Sequence, residues 1–117
     1  MIVKMTNKDE NFYKYMGRIF GSRLIQNQTN DRIYDDNNKL WYIALEKETV
    51  VAFVSISNDI IKNVYTTKDE ALKEALKQVK KENKIKDSTV TLIYEKVYEE
   101  AGYKVLKDIY KNFVVIS

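Results

Sequence analysis

The sequence predicts an α/β (α+β) domain: a mixed, mainly antiparallel sheet with helices on both faces. Three observations carry this reading. Two apolar, β-branched and aromatic runs at residues 40–45 and 50–56 flank the polar tetrapeptide Glu46-Lys47-Glu48-Thr49, which is a hairpin signal. A third such run, residues 60–66, follows the turn pair Asn58-Asp59 and continues the meander. It passes straight into an amphipathic segment, residues 68–83, and then into another β-branched run at 89–93. The simplest strand–helix–strand crossover lays 89–93 parallel to 60–66, the one parallel pair expected.

Residues 1–5 are short, apolar and β-branched, and read as a first strand. Asn7 or Asp9 can cap the helix that follows, since both side chains accept a backbone N–H. In residues 11–26 the apolar positions Phe12, Tyr15, Met16, Ile19, Phe20 and Leu24 recur at helical spacing. Gly17 and Gly21 weaken the expectation of one unbroken helix. Residues 27–39 are polar and turn-rich, and read as a loop or a short interrupted helix. In residues 68–83, Ala71, Leu72, Ala75, Leu76 and Val79 form one apolar stripe that must pack on the sheet. Its start, Thr67-Lys68-Asp69-Glu70, has capping-box spacing, with Thr67 and Glu70 each expected to bond an orphan amide. A short helix at 95–101 ends at Gly102, a fitting left-handed C-cap. Apolar runs at 105–106 and 113–116 read as one or two closing strands.

Composition excludes more than it selects. The 117 residues fit a single domain, 1–117, with no repeat and no proline-rich linker. The chain has no cysteine and no histidine, which removes disulfides, thiolate nucleophiles, Ser-His-Asp triads and the usual metal ligands; no metal site is expected. The apolar runs fall far short of the roughly 20 residues that cross a bilayer, and residues 1–5 carry no secretory-signal pattern, so a cytoplasmic location and no membrane partner are expected. Net charge is +3, from 20 basic and 17 acidic side chains. The six lysines of residues 73–86 are interleaved with Glu74, Glu82 and Asp87, which describes a solvated helix face rather than a nucleic-acid stripe.

The order β, α, loop, β-β-β, α, β, α, β resembles the GNAT superfamily of N-acetyltransferases. LWYIALEKETVVAFVSI, residues 40–56, is similar to that family's second and third strands, with Ala52 where glycine is usual. KNVYT, residues 62–66, is similar to the end of its fourth strand. VYEEAGYK, residues 97–104, resembles its "L-Y-x-x-x-G-F" segment, with Tyr98 at the tyrosine and Gly102-Tyr103 at the Gly-Phe position. The resemblance spans nearly the whole chain.

It implies acetyl-CoA in a cleft between splayed fourth and fifth strands, with cofactor contacts at Val64, Tyr65, Thr66, Thr67 and Lys68. It implies an amine acceptor, and Tyr98 as the general acid that protonates the departing CoA thiolate. The family's glycine-containing pyrophosphate loop is missing: between Thr66 and Leu76 there is no glycine and no arginine, and Asp69 and Glu70 follow Lys68. Glycines let backbone N–H groups approach a phosphate closely, so a degraded cofactor site with weak or no activity is expected. For a base, Glu46, Glu48, Asp59 or a water are the candidates. The other reading is a non-enzymatic binding or inhibitory module that meets a protein partner through residues 27–39 and the adjoining edge. Small size and a lysine- and asparagine-rich composition associate that reading with phage or mobile-element proteins.

Overall fold

The structure is a computed structural model that describes residues 1–117. Four strands form the main antiparallel sheet in the order β1-β2-β3-β4: β1 Ile2–Met5, β2 Leu40–Glu46, β3 Thr49–Ser57 and β4 Ile60–Thr66. Both hairpins turn on two residues. Lys47 and Glu48 have φ of 49° and 66°, and Asn58 and Asp59 have 53° and 63°, the left-handed pairs that match the twist of the strands they join. The ladders then hold Glu46 opposite Thr49 and Ser57 opposite Ile60.

Helices cover both faces of this sheet, because alternate residues of β2 and β3 are apolar on both sides. Tyr42, Ala44, Ala52 and Val54 face α3 (Asp69–Glu82), whose Leu72, Ala75, Leu76 and Val79 are fully buried. Trp41, Ile43, Leu45 and Phe53 face α1 (Phe12–Phe20), which buries Phe12, Met16 and Ile19. The ring of Trp41 lies 5.8 Å from Phe12 and 5.5 Å from both Phe20 and Phe53, an aromatic cluster that pins the helix to the sheet.

The expected helix of residues 11–26 is two helices. The chain breaks at Gly21, and α2 (Arg23–Thr29) restarts where the Ser22 hydroxyl accepts the Ile25 N–H at 3.2 Å. It runs on into the expected loop and stops at Asn30, whose φ is 55°. Neither Asn7 nor Asp9 caps α1; the Asp9 carboxylate instead accepts the Thr6 N–H at 2.8 Å.

The expected parallel pair is corrected. β5 (Ser88–Thr91) joins a second sheet of order β5-β7-β6, antiparallel to β7 (Phe113–Ile116), which pairs with β6 (Val105–Leu106). No ladder links β5 to β4. The two run alongside and touch where the Ser88 hydroxyl accepts the Ile61 N–H at 2.8 Å, then part. Past Thr91 the chain turns through a 3₁₀ turn, Leu92–Tyr94, into α4 (Glu95–Glu100) rather than continuing as strand. Gly102 closes α4 at φ 93°, with the Tyr103 N–H bonded to Tyr98 O at 3.0 Å, a Schellman-type end.

Candidate functional site

Where β4 and β5 part, two backbone edges face a gap. The structure fills it with tyrosines. Tyr94 and Tyr98 stand four residues apart, so both rings project from one side of the 3₁₀ turn and α4. The Tyr94 hydroxyl accepts the Thr66 N–H at 3.2 Å and lies 3.3 Å from Thr66 O, to which it donates. The Tyr98 hydroxyl donates to Thr91 O at 2.7 Å, and its side chain is fully buried. Burial pushes both phenols above the ordinary tyrosine range, so they stay protonated and keep these bonds. None of the protein's three cavities is lined by Tyr94, Tyr98 or Thr91.

The other sequence-derived residues surround this plug without converging on one point. Val64 is buried in the core beneath α3. Tyr65 turns to the opposite face, its ring 5.5 Å from Phe53. Thr66 is buried, and its hydroxyl accepts the Lys68 N–H at 2.8 Å. The Thr67 N–H bonds Val51 O at 2.8 Å, closing the sheet. Lys68 reaches outward to Glu46 at 2.6 Å.

The capping box is not formed. No side chain caps α3, the helix starts one residue later than its spacing suggests, and Glu70 pairs with Lys73 at 3.4 Å instead. The reason is Val51: its carbonyl takes the Thr67 N–H at 2.8 Å and draws the Thr67 hydroxyl to 3.4 Å, so neither group is left for the box. Asp69 and Glu70 nevertheless remain in the first turn, where their carboxylates answer the positive end of the helix dipole.

Of the carboxylates considered as bases, Glu46 is held by Lys68, Glu48 is exposed and 3.5 Å from Lys14, and Asp59 sits in the β3–β4 turn. A different acid lies inside. Asp31, just past α2, accepts from Asn63 Nδ2 at 3.0 Å, and burial pushes its carboxyl above the usual carboxylate value. Asn63 Oδ1 in turn accepts the Ser55 hydroxyl at 2.9 Å and the Lys39 ammonium at 2.9 Å. Lys39 is only 5% exposed, which for a lysine marks a built environment, and it also donates to Tyr34 O at 3.0 Å. Burial lowers its basicity, partly offset by Asp36 and Asp31.

Sequence reasoning missed Tyr94, Asp31, Lys39 and Asn63. Two signals were there to be read: Tyr94 precedes Tyr98 by one helical turn, and Asn63 interrupts an apolar strand at an inward position.

No protein-family model and no curated protein matches the chain. Among solved structures it is similar to the GNAT domain of S. lividans PAT, at 17% identity and a TM-score of 0.48, over 98% of this chain and 87% of that one.

Proposed function

We propose that this chain is a GNAT-like domain whose acetyl-CoA cleft is closed, and that it acts as a binding module rather than an acetyltransferase. The observation that carries the reading is the Tyr94 hydroxyl on both polar groups of Thr66. A pantetheine arm that pairs with this edge must first displace it. The residues do not fit the cofactor at its other end either: Asp69 and Glu70 repel a pyrophosphate, Lys68 is paired away, and no glycine lets the backbone approach. Tyr98, with its proton on Thr91 O and its ring buried, meets no solvent-borne leaving group.

Calorimetric titration with acetyl-CoA at low salt tests this on the parent, on Tyr94→Ala and on Asp69→Gly with Glu70→Gly. A micromolar site corresponds to about 8 kcal/mol, and losing two charge-assisted contacts of about 1.5–3 kcal/mol each moves it towards millimolar. The parent is expected to bind in the high micromolar range or weaker, and the combined variants more tightly. Tight binding by the parent overturns the proposal.

The binding role falls to residues 31–39. They cross the face of the sheet over Ser55 and Asn63, anchored by the buried Lys39, and they build a polar cavity while the cleft is filled. An interaction surface on a loop tolerates remodelling that a packed sheet does not.

A further inference from the structure

The cavity against this loop has a volume of about 260 Å³, and its walls are almost wholly polar. Arg32, Lys39 and Lys62 supply three cations, and Asp31 and Asp36 two carboxylates. The acids keep their charge, each with one oxygen on a neutral donor: Asp31 Oδ2 accepts from Asn63 at 3.0 Å, and Asp36 Oδ1 accepts the Asn38 N–H at 3.0 Å in a local turn. The cations outnumber them, and Arg32 and Lys62 are exposed and take part in none of the ion pairs of the molecule. Lys39 spends two of its three N–H donors, on Tyr34 O and Asn63 Oδ1, and has one to give.

From this arrangement we infer that the cavity between residues 31–39 and the β3–β4 hairpin binds a small anion bearing a carboxylate or a phosphate. Lys39 is the buried anchor and Arg32 and Lys62 are the gate. The desolvation of Lys39 strengthens its attraction for an anion, since fewer waters must be displaced and the local dielectric is low. Arg32 offers the planar fork that matches either group. Burial lowers the basicity of Lys39 most, Asp36 and Asp31 raise it, and Lys62 lowers it by less, a lysine–lysine repulsion that an anion between the two relieves. The tyrosine ring of Tyr34, 4.0 Å from Lys39 Nζ, closes one side. Asn63 fixes the ammonium from beneath, which sets the direction of the remaining donor.

The inference rests on the loop reading of function and not on the state of the β4–β5 cleft. Its test uses the whole chain and the single tryptophan, Trp41, whose ring lies 5.5 Å from Lys39 Nζ and reports on charge there. Inorganic phosphate, malonate and acetate are titrated separately at constant ionic strength held with chloride, following Trp41 emission and the heat released. The phosphate arm and the carboxylate arms distinguish the two sources of the anion. At least one arm is expected to saturate with 1:1 stoichiometry. Arg32→Gln and Lys62→Gln, both exposed and without folded partners to lose, are each expected to weaken it about tenfold, the loss of one charge-assisted contact. Lys14→Gln, outside the cavity, is expected to leave it unchanged. Absence of saturation in every arm overturns the inference, as does equal weakening by Lys14→Gln, which signals general charge attraction. Either failure leaves the acetyl-CoA titration, and with it the closed cleft, standing on its own result.

Discussion

Tyr94 and Tyr98 sit one turn apart, and their hydroxyls bond backbone on either side of the gap between β4 and β5, at Thr66 and Thr91. Tyr98 satisfies a buried carbonyl, so Tyr98→Phe strands Thr91 O; unfolding by denaturant is expected to show a loss of about 1–3 kcal/mol. An unchanged midpoint means that water reaches Thr91 and that the gap is open. Asn63 is the hub of a buried network, bonded at once to Asp31, Lys39 and Ser55. Asn63→Leu is expected to cost about 3 kcal/mol or more, because it leaves a buried ammonium short of an acceptor. Denaturation midpoints of Asn63→Leu and of Ser55→Ala, which removes only one neutral bond, should differ clearly in that order. None of these partners is adjacent in sequence, which is why Tyr98 was legible as a tyrosine of interest while its bond to Thr91, and the network around Asn63, were not.

At the scale of elements, the two hairpins were legible and the sheet boundary was not. Apolar runs and turn residues specify local pairing: the second turn falls on Asn58-Asp59 as expected, and the first falls inside the expected tetrapeptide, whose outer residues Glu46 and Thr49 extend the strands. β5 has two candidate neighbours, and its ladder goes to β7, which arrives only at the end of the chain. A strand–helix–strand pattern predicts adjacency to β4, and adjacency is what remains; the hydrogen bonds go elsewhere. The α3 cap failed as an expectation for a similar reason, since the Val51 carbonyl on the neighbouring strand takes the Thr67 N–H and hydroxyl that a box with Glu70 needs. The β2–β3 turn has its own consequence. Lys47 and Glu48 hold left-handed backbone without being glycine or asparagine, at a cost of about 1–2 kcal/mol per residue. Replacing them by Asn-Gly is expected to raise stability by about 1 kcal/mol, read as a higher melting or denaturant midpoint, and a fall contradicts the turn geometry.

For the molecule as a whole, two core clusters lie on opposite faces of one sheet, and six of the nine tyrosines have phenols raised above their ordinary value of 10.0. Burial is the main cause at five of them, and the bond to Asp35 at Tyr13. A raised folded-state value means that the folded chain holds protons which the unfolded chain releases. That stability is complete below the unfolded value near 10 and is lost as pH climbs through the folded values. Lys39 works in the opposite sense, one group against several. The denaturant midpoint is therefore expected to fall steeply above about pH 10, less steeply in Tyr103→Phe, and a midpoint that rises there contradicts the burial of these rings.

The proposed closure of the cleft decides whether the chain can hold acetyl-CoA, and the Thr66 amide reports it directly. An isotope-labelled sample titrated with acetyl-CoA gives the nuclear magnetic resonance shift of that amide, whose hydrogen is bonded to the Tyr94 hydroxyl. The expected result is that any movement of the Thr66 signal half-saturates no lower than the high micromolar range, matching the calorimetric expectation. Saturation in the low micromolar range, with Thr66 shifting as it binds, would show that Tyr94 yields its place to the cofactor and that the cleft is open.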